Sequence, residues 1–130
     1  MAVVGGTIAE MVAVRYIVSN VEQSIAFYEC LGFEVEERWG PAFAILARED
    51  LRLWISGPTT SAAQPMPDGR TPAPGGWNRI VVVVDDIEDL VGYLKKGEAI
   101  FRNDIVTGPG GKQILLDDPD GNPIELFEPR

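Results

Sequence analysis

The side chains best suited to recognition in this sequence are aromatic: Trp39, Phe43, Trp54 and Trp77 could together line a pocket. Rings of this kind stack on planar ligands and attract cations through their faces. Each taken singly could equally serve core or interface packing. What is missing narrows the chemistry further. The chain contains no histidine, which removes Ser-His-Asp and Cys-His nucleophile pairs and most zinc, iron and nickel sites. Any metal would have to be held mainly by carboxylates, carbonyls or water. Gly108-Pro-Gly-Gly-Lys-Gln113 invites a phosphate-loop reading, but that spacing needs glycine where Val106 stands and Ser or Thr where Gln113 stands. It reads as a tight turn. The single cysteine, Cys30, reads as a packed apolar thiol late in a helix. One cysteine makes no internal disulfide, which suits a reducing cytoplasm.

Composition sets the frame for these residues. At 130 residues, 45% hydrophobic and 24% charged, the chain reads as a single domain, 1–130, with its own core. Twenty acidic against eleven basic residues give a net charge of −9. That balance excludes the basic footprint that nucleic acids and anionic membranes require, and tolerates cationic small molecules. The opening Met1-Ala-Val-Val-Gly-Gly6 has no basic region and no long apolar run, so neither signal peptide nor membrane span is read there.

The elements that must position the aromatic and charged residues come in a repeat. Val18-Ser-Asn-Val-Glu-Gln-Ser-Ile-Ala-Phe-Tyr28 aligns with Val84-Asp-Asp-Ile-Glu-Asp-Leu-Val-Gly-Tyr-Leu94 at a constant offset of 66. Each stretch follows an apolar, β-branched run (12–18 and 80–84) and opens a helix at Asn20 or Asp86. Apolar residues follow at helical spacing, Val21, Ile25 and Tyr28 in one copy, Ile87, Val91 and Leu94 in the other. Glycines 32 and 97 are expected to end the two helices. Three strand-like pieces come after each helix: 33–39, 43–48 and 51–56, then 98–102, 112–117 and 123–128. Each half therefore reads strand, helix, strand, strand, strand: a first module over 12–56 and a second over 78–128. Between them residues 57–77 hold five prolines, four glycines and no Val, Ile, Leu or Phe, a connecting loop long enough to be functional.

With Gly108-Pro-Gly-Gly-Lys-Gln and Asp118-Pro-Asp-Gly-Asn-Pro-Ile-Glu-Leu-Phe-Glu128 at the end, the repeat resembles the vicinal oxygen chelate superfamily. That family includes glyoxalase I, extradiol dioxygenases and bleomycin resistance proteins. The resemblance runs from about Val12 to Glu128. It implies an α+β fold in which two βαβββ modules form a curved eight-stranded mixed sheet around a cleft. It also implies a homodimer, sometimes with modules exchanged between chains. In metal-dependent members the cleft floor carries up to four ligands, and the alignment puts those positions at Ala13, Arg52, Arg79 and Glu125. Only Glu125 can ligate a metal: alanine has no ligand atom, and a protonated guanidinium has no lone pair to offer. The chain is therefore expected to work without metal or other cofactor.

Strand alternation assigns the cleft face. If Ala13, Arg52 and Arg79 point inward, so do Arg15, Ile17, Trp54, Ser56, Val81 and Val83. Glu125 is expected either to form a buried ion pair with Arg79 or Arg52, or to orient a polar ligand with them. Trp39, Phe43, Arg52, Trp54, Trp77, Arg79 and Glu125 form the expected ligand-binding set. The expected function is sequestration of an aromatic or cationic natural-product antibiotic, similar to the bleomycin-resistance branch. The alternative is a lyase, isomerase or dioxygenase-like enzyme with Glu125 as base or metal ligand. A metabolite-binding regulatory subunit is a third.

Overall fold

A computed structural model describes residues 11–130; the opening stretch from which no leader is read lies outside them. The first module contains β1 (Ala13–Ile17), α1 (Val21–Glu29), β2 (Glu34–Trp39), β3 (Phe43–Arg48) and β4 (Leu51–Ser56). The second contains β5 (Ile80–Val83), α2 (Ile87–Lys96), β6 (Ile100–Phe101), β7 (Val106–Gly108), β8 (Gly111–Asp117) and β9 (Pro123–Pro129). The strands form two mixed sheets, ordered β1-β4-β3-β2 and β5-β9-β8-β6, with β7 also paired to β8. All eight expected strands are present in this α+β fold. The ninth, β7, arises because Gly108-Pro-Gly-Gly111 closes a hairpin in which Val106 pairs with Gln113.

Both helix starts follow the sequence. The Asn20 side chain accepts from the Gln23 backbone N–H at 2.9 Å and Asp86 from that of Asp89 at 3.0 Å. The ends differ. At α1 the N–H groups of Gly32 and Phe33 bond back to Glu29 and Tyr28, with Gly32 at φ +89, a glycine-terminated Schellman end. At α2 the left-handed position falls to Glu98, φ +65, while Gly97 caps at φ −86. Gly97 thus ends α2 as expected, with the left-handed residue following it. The expected 98–102 strand is two residues long. Beyond Phe101 the Asn103 side-chain oxygen takes the Leu115 N–H at 2.9 Å, in place of a backbone acceptor.

The helix-facing side of both sheets forms one continuous core. Leu46, Leu53 and Ile55 pack with Ile25, Tyr28 and Phe33, and the same cluster runs on through Ile114, Leu116, Ile124 and Leu126 to Ile87 and Val91. The two conspicuous sequence motifs meet inside it. Tyr28 donates its hydroxyl to Asp118 Oδ2 at 2.7 Å, and Asp118 also accepts from the Asp120 and Asn122 backbone N–H groups and the Asn122 amide. Asn122 in turn donates to the Ile17 carbonyl. Cys30 does not join this core; it caps α1 and is exposed, because it sits on the helix side opposite Tyr28.

Candidate functional site

The face of the first sheet turned away from the helices carries the expected side chains in rows set by strand register. Trp39 pairs with Phe43 and Phe43 with Ser56; Ile45 pairs with Trp54 and Trp54 with Arg15; Ala47 pairs with Arg52 and Arg52 with Ala13. Paired residues share a face, so alternation places Arg52, Trp54 and Ser56 opposite the buried Leu53 and Ile55. Phe43 and Trp54 meet edge to face with centroids 5.9 Å apart. Arg15 lies over this pair, its guanidinium carbon 5.0 Å from the Trp54 ring centre and 6.0 Å from that of Phe43. Its Nη1 donates to Ser56 Oγ at 2.9 Å. Trp54 Nε1 is buried with no hydrogen-bond partner among the described residues. Trp39, 64% exposed, donates its indole N–H to Glu37 at 3.0 Å.

The second sheet supplies the other three. Arg79 stands one residue before β5, and its Nε and Nη2 donate to Glu125 Oε1 at 3.0 and 2.8 Å. The side chains of this pair are 28% and 10% exposed. Of the two partners sequence allowed for Glu125, the structure uses Arg79. Arg52 instead binds Glu36 of β2, with Nε 2.9 Å from its carboxylate. A bulge between Val35 and Glu37 adds the residue that puts Glu36 within reach. Trp77 is 69% exposed, with the Arg102 guanidinium 4.7 Å from its ring centre. Arg102 also binds Asp117 at 2.6 Å and the carbonyls of Gly76 and Gly121, so this tryptophan belongs to an anchor for the long loop.

Two clusters thus stand where seven residues were expected to converge: Trp39, Phe43, Arg52 and Trp54 on the first sheet, Trp77, Arg79 and Glu125 with the second. Among the described residues no hydrogen bond or ion pair joins them. Arg15 and Arg102 were not selected from sequence. Arg15 could have been, since its strand phase matches Trp54. Arg102 lies where β6 has already ended, and periodicity carries no information there.

The donor set does not fit a metal. Ala13 pairs directly with Arg52, and the one available carboxylate, Glu125, is held by Arg79. Asp86, Glu88 and Glu128 do lie close together at the start of α2, but Lys112 binds Glu88 at 2.7 Å and Glu128 accepts the Ile87 N–H. A groove of about 630 Å³ runs between α1 and α2, beside Phe27, Tyr93 and Ile100. It lies on the helix side, away from the faces described above.

A family model described as the Glyoxalase/Bleomycin resistance protein/Dioxygenase superfamily matches residues 10–126. The chain belongs to this superfamily. No curated protein matches it in sequence. Among solved structures, a superfamily member from Sphaerobacter thermophilus is 27% identical, with TM-score 0.71 over 93% of this chain and 98% of that one. An antibiotic binding protein, TnmS3, from a Streptomyces species is 22% identical, with TM-score 0.70 over 96% and 99%. A lactoylglutathione lyase from Agrobacterium tumefaciens is 20% identical, with TM-score 0.70 over 92% of each chain. Superfamily membership thus spans ligand binders and lyases. Among the described residues no helix is long and apolar enough to cross a membrane.

Proposed function

We infer that this protein binds and sequesters a planar aromatic natural product of the antibiotic type, without a metal and without changing it. The observation that carries this reading is the chemistry of the four cleft-floor positions: Ala13 and Arg52 paired across β1 and β4, and Arg79 bound to Glu125. No Lewis acid has a home there. A general base needs its lone pairs aimed at a substrate proton; Arg79 takes Glu125 Oε1 twice, which leaves Oε2 alone for such a role. Sequestration needs neither group. Trp39, Phe43 and Trp54 offer flat apolar surface for a ring system, and Arg52, Arg79 and Glu125 give the cleft polar positions that fix its orientation. The likeness to an antibiotic binding protein agrees with this reading through the fold alone.

The cleft is completed by a second copy of the chain. Strands β1 and β5 each lie at the end of their sheet, and Val81 and Val83 are 50% and 56% exposed on the cleft face of β5. In a homodimer the aromatic cluster of one chain and the Trp77, Arg79 and Glu125 group of the other form the two walls. The cytoplasm is the compartment proposed. Native mass spectrometry with flat polycyclic antibiotics tests the reading. A metal-free dimer that releases its ligand at unchanged mass is the expected result. A stoichiometric metal, or a ligand returned with altered mass, overturns it.

A further inference from the structure

Charges on the cleft faces are matched by carboxylates in all but one place. Arg52 has Glu36, Arg79 has Glu125 and Arg102 has Asp117. Arg15 has no carboxylate among the described residues; its one hydrogen bond goes to the Ser56 hydroxyl. A guanidinium carries five N–H donors in a planar fork that fits an oxyanion, and most of these remain open. Arg15 is exposed in the single chain, with the Trp54 and Phe43 rings at cation–π distance and Ser56 as its hydrogen-bond partner, so part of its side-chain freedom is spent before a ligand arrives. The surroundings add a further imbalance. Among the side chains of Arg15, Phe43, Trp54 and Ser56 the only acceptor is the hydroxyl, and Arg15 already uses it; Trp54 Nε1 is buried and finds none. A donor-rich, acceptor-poor cluster beside flat rings is complementary to an aromatic ligand that brings its own acceptor.

We propose that Arg15 contacts an anionic oxygen of the ligand, so that the cleft selects planar aromatic acids over neutral or cationic aromatics of the same shape. The inference deepens the binding reading above and rests on it. It reverses the preference for cations that the acidic composition suggests. The net charge of −9 acts at long range and is screened beyond about 8 Å at physiological salt. Contact with an unpaired guanidinium decides selection inside the cleft. Glu37, the acidic group on the same face bound only by the Trp39 indole, lies at the outer strand, with β3 and β4 between it and Arg15.

Isothermal titration of the purified protein with naphthoate, naphthamide and naphthylmethylammonium tests this directly. The three share a ring system and differ in charge. Naphthoate is expected to bind at least about tenfold more tightly than naphthamide, a gap of about 1.4 kcal/mol, with the ammonium weakest. Arg15→Gln should bring the naphthoate to naphthamide ratio to near one. Arg15→Lys, which keeps the charge but loses the fork, should retain part of it. Equal binding of all three probes, or a ratio unchanged in Arg15→Gln, overturns the role of Arg15 and leaves the aromatic-binding reading standing. Failure of every probe to bind overturns both.

Discussion

Arg79 places two donors, Nε and Nη2, on a single oxygen of Glu125, Oε1, at 3.0 and 2.8 Å. This ion pair occupies two of the positions at which the family resemblance implies metal ligands, and it is the more buried of the two arginine–glutamate pairs, Arg79–Glu125 and Arg52–Glu36. Removing one member of a buried pair leaves the other charged and unmatched, at a cost of about 3 kcal/mol. Glu125 is the more buried partner, so Arg79→Ala should destabilise the protein more than Glu125→Gln, which leaves a neutral hydrogen-bonding group. Urea unfolding of the two variants and their double mutant measures the difference. Equal losses would show that the pair is not the source.

A second coupling predicts an alkaline limit to stability. Burial, reinforced by the Asp118 carboxylate, pushes the Tyr28 phenol well above its ordinary value of 10.0. Burial raises Tyr16 as well. A phenol whose folded pKa is raised contributes stability that is complete below the unfolded value and lost as pH climbs above it. Unfolding free energy should therefore hold steady from pH 8 to 9 and fall above pH 10, by up to about 1.4 kcal/mol per pH unit per group. Tyr28→Phe should lower stability at pH 8 by about 2 kcal/mol, since a carboxylate loses a donor, and should flatten the alkaline fall. A variant with the wild-type slope would remove Tyr28 as its cause.

How much of this was legible in sequence follows from what each signal measures. Periodicity and capping chemistry depend on neighbours along the chain. Hence both helices, their Asn20 and Asp86 caps and all eight module strands could be read directly. Strand phase likewise put Arg52 and Trp54 on one face. What periodicity does not encode is which side chain answers which across strands. Arg52 found Glu36 because a bulge in β2 added a residue, and Trp77 found Arg102 because two irregular segments meet. Cys30 was misread for a related reason: helical spacing fixes the angle between Cys30 and Tyr28, and Tyr28 took the core side.

The end of α2 offers a stabilising change. Glu98 adopts the left-handed conformation, φ +65, where a Cβ is disfavoured by about 1 kcal/mol and glycine is not. Its backbone N–H bonds to the Lys95 carbonyl and that of Ala99 to Leu94, bonds that glycine preserves. Glu98→Gly should raise stability by about 0.5–1 kcal/mol, read as a higher melting temperature by calorimetry. No gain, or a loss, would mean that the glutamate side chain contributes more than the strain it bears.

The strongest demand on the proposed dimer falls on β5. Val83 points from the cleft face, 56% exposed, and its register partner is Phe127. In the single chain a charge at this position meets water, so Val83→Glu should leave stability within about 0.5 kcal/mol of wild type. In a dimer the same charge is desolvated against the partner without a counter-charge, at a cost of several kcal/mol. Analytical ultracentrifugation should then find the variant as a folded monomer at concentrations where the wild type is a dimer. Affinity for a flat aromatic ligand should fall with it, because one wall of the cleft would be missing. A Val83→Glu protein that stays dimeric and keeps its affinity would place the dimer contact elsewhere and return the whole site to one chain.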